Sequence, residues 1–156
     1  MAVDEAVFRM VARGQAPPTL RFYGWRFPAL SIGCFQDYEK EVDGDACRRF
    51  GVEVVRRPTG GKAVLHEHEL TYAVAAAANP PLFSPDILET YRRISSCIAE
   101  GLARIGIRAD MEETGRHAPE GALGASCFSS PSRYELVVNG RKICGSAQMR
   151  SRGALM

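Results

Sequence analysis

Apolar and polar positions follow two rhythms along this chain, and the changes between them mark its elements. Val3, Val7, Met10 and Val11 recur at helical spacing, which predicts an amphipathic helix over residues 2–13 stopped by Gly14. "TLRFYGW" (19–25) then alternates with period two and predicts a strand, and "ALSIGCF" (29–35) after Pro28 predicts a second. A short helix is expected within 41–51, with Asp43 as its cap and Gly51 as its stop, before the β-branched strand "VEVVRR" (52–57). "AVLHE" and "LTYAVAA" read as two strands paired across a tight connection. Ser84-Pro85-Asp86 opens a long helix whose apolar face is Ile87, Tyr91, Ile94, Ile98, Leu102 and Ile105, ended by Gly106. Residues 110–133 have the Gly, Ser, Pro and charge content of a long polar loop. Asn139-Gly140 between "YELVV" and "RKICGSAQMR" predicts a type I′ hairpin pairing Arg141 with Val138 and Lys142 with Val137. The final "SRGALM" shows no closing turn. Helices interspersed among hairpins, without repeats or a linker, favour one α+β domain over a regular βαβ wind.

Composition adds mostly exclusions. With 156 residues, 46% hydrophobic and 24% charged, the chain can bury a core and has no signature of disorder. A net charge of +2 lacks the dense basic patch of a nucleic-acid binder. No apolar run reaches the roughly 18 residues of a membrane span; "AVAAAANPPLF" is broken by prolines. Asp4 and Glu5 stand where a signal peptide carries positive charge, so a cytoplasmic location is expected. The five cysteines form no CxxC pair, which argues against a disulfide framework or zinc knuckle.

The candidate chemistry gathers in two stretches. "RRPTGGKAVLHEHELTY" (56–72) joins paired arginines, a bare glycine pair and a histidine. A Walker loop is excluded, because Gly61-Lys62 is followed by Ala63 and the required earlier glycine is Arg56. The glycines could admit an anion among Arg56, Arg57 and Lys62, or simply turn the chain with solvated arginines around them. His66 and His68 would share a strand face, yet two ligands do not make a metal site and no third has fitting spacing. In the second stretch, Cys127 sits in the polar loop "GASCFSSPS" that feeds the hairpin carrying Lys142, whose ammonium would favour a thiolate. From the residues alone, a reactive Cys127 competes with an inert surface thiol, and Cys144 in the strand is a rival nucleophile. Gly145-Ser146-Ala147 is small enough for a ligand to approach closely.

"LRFYGWRFPALSIGCFQ", "RRPTGGKAVLHEHELTY" and "CFSSPSRYELVVNGRKICGSAQMR", in this order and at this spacing, resemble the lipoate–protein ligase/octanoyltransferase family. That family shares the fold of biotin protein ligases and class II synthetases, so the resemblance implies an α+β catalytic domain over 1–156, a mixed sheet flanked by helices. It further implies that Arg56, Arg57, Gly60 and Gly61 wall an acyl or lipoyl pocket with His66 on the next strand. Lys142 would contact the acyl carbonyl, and Ser146 and Ala147 would line the same pocket. Lys62 replaces a frequent third glycine, and Glu67 a frequent aspartate. Relatives usually extend past both "GALM" and "MAVDEA", which implies a chain incomplete at both ends.

Within the family, ligases activate lipoate with ATP, whereas octanoyltransferases use a cysteine thiol and no cofactor. Cys127 directly before "FSSPSRYEL" resembles the nucleophile of the second branch. The implied reaction moves an octanoyl group from octanoyl-acyl carrier protein through a Cys127 thioester to a lysine of a lipoyl domain or glycine cleavage H protein. An ATP-dependent ligase and an amidotransferase acting between carrier proteins are the alternative implied activities.

Overall fold

A computed structural model describes residues 1–114 and 133–156. They form two compact units, Met1–Leu82 with Ala147–Met156, and Phe83–Ser146. The α+β class expected from the sequence holds, with helices and sheets mixed in both units.

In the first unit, helix α1 (Ala2–Ala12) packs Phe8 against Ala75 and Ala154, flanked by Val7, Val11, Ala12, Met149 and Met156. The buried stripe is centred on Asp4 and Phe8; Val3 and Met10, expected on it, face outward. Asp4 is tolerated inside because the Arg21 guanidinium pairs with it and the Tyr23 hydroxyl donates to it at 2.9 Å. Burial first, then Asp4, pushes the Tyr23 hydroxyl well above its ordinary pKa. Gly14 ends the helix at φ +68, its N–H returning to the Val11 carbonyl at 2.9 Å.

One antiparallel sheet of this unit runs β1 (Thr19–Tyr23), β5 (Thr71–Ala77), β10 (Ala154–Leu155), β9 (Arg150–Ser151), with Thr19 opposite Ala75 and Tyr23 opposite Thr71. The last two strands correct the reading of "SRGALM". Arg152 and Gly153 both take positive φ and close a two-residue hairpin, a turn the sequence hides because arginine is an unusual left-handed residue. The second sheet is mixed: β2 (Ala29–Ile32) lies parallel to β3 (Glu53–Arg56) and antiparallel to β4 (Val64–His66). The parallel crossover contains α2 (Tyr38–Glu41) and α3 (Gly44–Phe50). Asp43 accepts from the Ala46 N–H and Gly51 stops α3 in the left-handed conformation, as expected; α2, capped by Asp37, was not foreseen.

The expected pairing of "AVLHE" with "LTYAVAA" does not occur. β4 joins β2 and β5 joins β1, in separate sheets. The connecting Glu67, His68, Glu69 and Leu70 offer no glycine or asparagine for a tight hairpin turn, and the chain uses them to change sheets.

In the second unit, α4 (Ile87–Arg104) is capped by Asp86, which accepts from the Glu89 N–H at 2.7 Å, and is followed by Gly106 at φ +85. Tyr91, Ile94, Ile98 and Leu102 are half-buried as the pattern predicts, while Ile87 and Ile105 are exposed. β6 (Asp110–Met111), β7 (Leu136–Val138) and β8 (Arg141–Cys144) form a three-stranded antiparallel sheet. The Asn139-Gly140 turn has φ +50 and +73, and Val138–Arg141 and Val137–Lys142 pair in the predicted register. Asp110 and Met111, assigned to the polar loop from composition, are instead a strand paired with Val137 and Leu136.

Candidate functional site

Arg57, directly after β3, turns back over the glycine loop that follows it. Its side chain is buried, and its N–H groups reach the carbonyls of Ser31 (3.0 Å), Gly60 (2.9 Å) and Lys62 (2.6 Å) and the Ser31 hydroxyl (3.0 Å). A planar guanidinium suits this task because its donors fan out in fixed directions and can bridge several carbonyls at once. Arg56 works the other flank, donating to the carbonyls of Gly33 (2.9 Å) and Gln36 (2.6 Å). The two arginines thus scaffold the loop in backbone-carbonyl contacts.

The loop also lies backbone to backbone on the segment after β2. The Cys34 N–H donates to the Thr59 carbonyl at 3.0 Å, and a Cβ on Gly33 would collide with the Gly61 carbonyl and stand 3.1 Å from the Gly60 carbonyl carbon. Gly61 itself sits at φ +92, which disfavours any L side chain. A Cβ on Gly60 would lie 3.7 Å from the Phe35 ring. Gly33→Ala is therefore expected to displace the loop by overpacking, at about 1–3 kcal/mol of stability. Chemical denaturation checks this, and an unchanged unfolding midpoint would show that the loop yields freely.

His66, on β4, is the centre of a buried chain. Its Nε2 lies 2.7 Å from Ser31 Oγ, its Nδ1 meets the Glu69 carboxylate, and Thr71 donates to that carboxylate at 2.7 Å. Trp25 donates to Thr71 Oγ1 at 2.8 Å and stacks on the imidazole with centroids 4.4 Å apart. A carboxylate only accepts, so Nδ1 carries a proton and the Ser31 hydroxyl can donate to Nε2 while accepting from Arg57. Serine, histidine and glutamate stand in the order of a hydrolase triad. Ser31 is nevertheless 0% exposed, so the chain acts as a brace joining Arg57, and hence the glycine loop, to both sheets of this unit. The two histidines do not converge: His66 is buried in this brace and His68 is 92% exposed.

In the second unit, Lys142 and Glu135 form a buried ion pair at 2.8 Å, the lysine side chain being 2% exposed. Cys144 is within electrostatic reach of both; burial pushes its thiol pKa up, and Ser146, through a side-chain hydrogen bond, pulls it down by less. A register shift between Leu136 and Val137 interrupts the regular pairing of β7 with β8, so that Leu136 lies opposite Cys144 and Val137 opposite Lys142. Ala147, at the start of the C-terminal segment of the first unit, is exposed. Cys127 lies outside the described residues.

Arg56, Arg57, Gly60, Gly61 and His66 thus gather in the first unit, and Lys142 and Ser146 occur together in the second. Gly33, Ser31, Trp25, Glu69 and Glu135 were not singled out from the sequence. Gly33, directly after a strand, carried a usable signal of close backbone approach; the others depend on contacts between distant residues or on side-chain direction.

The family model for the lipoyl protein ligase A/B catalytic domain matches residues 1–156. The chain belongs to this family. Octanoyltransferase LipM of Geobacillus kaustophilus is 47% identical over 163 aligned residues, covering 100% of this chain and 58% of the relative. A crystal structure of lipoate-protein ligase A bound with ATP superimposes with a TM-score of 0.79 at 28% identity, covering 99% of this chain and 57% of that one. The bi-partite lipoate protein ligase of Thermoplasma acidophilum, studied with its E2 lipoyl domain, gives 0.69 at 27% identity, covering 99% and 52%. This member of the lipoyl protein ligase A/B family therefore spans somewhat more than half the length of the relatives it matches.

Proposed function

We propose that the chain is the catalytic part of a protein N-octanoyltransferase of lipoate biosynthesis, serving as one catalytic domain in the cytoplasm. The observation that carries this reading is 47% identity to an octanoyltransferase over the whole of this chain. The donor is octanoyl-acyl carrier protein and the acceptor a lysine of a lipoyl domain or glycine cleavage H protein.

In the first half-reaction the Cys127 thiolate attacks the octanoyl thioester carbonyl. A carbon–sulfur bond to Cys127 forms as the bond to the carrier's phosphopantetheine sulfur breaks, and that thiol leaves with a proton. In the second, the neutral ε-amine of the acceptor attacks the Cys127 thioester. The amide forms, the amine gives up its extra proton, and the Cys127 thiolate is regenerated. One thioester replaces another before amide formation runs downhill, so the sequence needs no ATP. The Lys142 ammonium stabilises the negative charge that develops on the carbonyl oxygen. The braced glycine loop, with Arg56, Arg57, Gly60, Gly61 and His66, walls the acyl chain, and Ser146 and Ala147 line its path. Each buried methylene contributes about 0.8 kcal/mol to holding that chain.

Similarity to a lipoate-protein ligase bound with ATP supports a second reading, ATP-dependent activation of free lipoate. One experiment separates them. The protein is incubated with octanoyl-carrier protein, without ATP, and its intact mass is recorded before and after an acceptor domain is added. A single octanoyl adduct that is discharged onto the acceptor is expected. Transfer seen only with free lipoate and ATP would replace the transferase reading by the ligase one.

A further inference from the structure

We infer that Glu135 is the positioning residue of the acyl-transfer reaction: it holds and aims the Lys142 ammonium within the hairpin. This rests on the proposed role of Lys142 in acyl transfer. Glu135 directly precedes β7, two residues before Val137, the cross-strand partner of Lys142, and its side chain reaches across to the lysine. Their ion pair measures 2.8 Å, and both side chains are largely withdrawn from water.

A buried ion pair is a weak device for stability, because desolvating two charges offsets their attraction and an apolar pair of similar volume often serves as well. What the pair supplies that an apolar pair cannot is a placed positive charge. Of the three N–H groups of an ammonium, one is directed at Glu135, and tetrahedral geometry then fixes the directions of the other two. The backbone around the carboxylate is constrained to match. Tyr134, immediately before it, holds φ +68, a region sterically disfavoured for a non-glycine residue. The Tyr134 N–H is tied to the Glu112 carbonyl at 2.6 Å, and the Glu112 N–H returns to the Glu135 carbonyl at 2.9 Å. A disfavoured conformation locked by two hydrogen bonds, one on each side of the peptide, fits a carboxylate whose direction matters. Cys144 senses both charges, Glu135 raising and Lys142 lowering its pKa.

The test compares Glu135→Gln, Glu135→Asp, Lys142→Met and the Glu135→Gln/Lys142→Met double variant in single-turnover acylation by octanoyl-carrier protein, each shown to be folded by circular dichroism. Glu135→Gln keeps shape and acceptor but loses charge. Its acylation rate is expected to fall about tenfold to a hundredfold, the usual range for outer partners that orient a reacting group. Half-saturation for the carrier should stay within about twofold, the split expected when a reacting-state interaction is lost. Glu135→Asp should recover part of the rate. The double variant should be no slower than Lys142→Met, since the two act as one unit. A wild-type rate in Glu135→Gln, or losses that multiply in the double variant, overturns the inference. If Glu135→Gln does not fold, Glu135→Asp decides: an unchanged rate overturns the inference and a reduced rate at unchanged half-saturation supports it. A Lys142→Met variant that acylates normally defeats the underlying reading of Lys142 instead, and is thereby told apart from failure of Glu135 alone.

Discussion

Replacing Arg57 with alanine is expected to remove about 3–5 kcal/mol of folding stability, beyond the usual range of single substitutions. The buried guanidinium bridges the carbonyls of Ser31, Gly60 and Lys62 and bonds the Ser31 hydroxyl. Truncation strips donors from several acceptors at once, at about 1–3 kcal/mol for each that stays buried and unmet. It also releases Ser31, which is the link to His66, Glu69 and Trp25. Lysine should rescue little, because a single ammonium on a flexible stem cannot span the fan of carbonyls that the planar group reaches. Urea denaturation followed by circular dichroism measures this directly. A loss below about 0.5 kcal/mol, within the scatter of ordinary surface substitutions, would show that the loop does not depend on this clasp.

That prediction could not have been written from the sequence, although the residues it concerns were noticed there. The order of chain elements was legible wherever the signal was local. Asp43 and Gly51 bracket one helix, Asp86 and Gly106 another, and Asn139-Gly140 set a hairpin register correct at both predicted pairs. It failed where partners are distant. Nothing within "AVLHEHELTYAVAA" says that its two strands belong to different sheets, since that choice is made by β1 and β2 some forty residues earlier. Likewise the arginine–glycine motif was visible, but it left an anion site and a plain turn with solvated arginines equally open. The structure directs the N–H groups of Arg56 and Arg57 to carbonyls of residues such as Gly33 and Ser31. Whether an arginine faces a ligand or its own backbone depends on long-range packing, which spacing does not encode. Lys142 was placed correctly on its strand, yet Glu135 became visible only once the direction of both side chains was known.

Cys127→Ser is expected to abolish the octanoyl adduct and lower transfer by on the order of 10³-fold or more, the scale seen when a covalent nucleophile is removed. A thioester needs a thiolate, and a serine hydroxyl at neutral pH offers almost no anion to attack the carrier's carbonyl. The other thiols fit the task poorly. Cys144 is half-buried, and burial raises its pKa, so the thiolate fraction at neutral pH falls below that of an ordinary cysteine. Cys97 is exposed on α4, and Cys34 and Cys47 are half-buried in the unit that carries the glycine loop, away in sequence from the hairpin of Lys142. Cys144→Ser should therefore keep a hydroxylamine-labile adduct of one octanoyl group that Cys127→Ser lacks. The opposite pattern, with the adduct lost in Cys144→Ser and kept in Cys127→Ser, would transfer the nucleophile to β8. The Lys142–Glu135 pair would then have to act on a neighbouring thiol of its own strand, and its ammonium would be lowering a pKa that burial holds up. The two variants, read by intact mass before and after hydroxylamine, decide between these chemistries without reference to overall turnover.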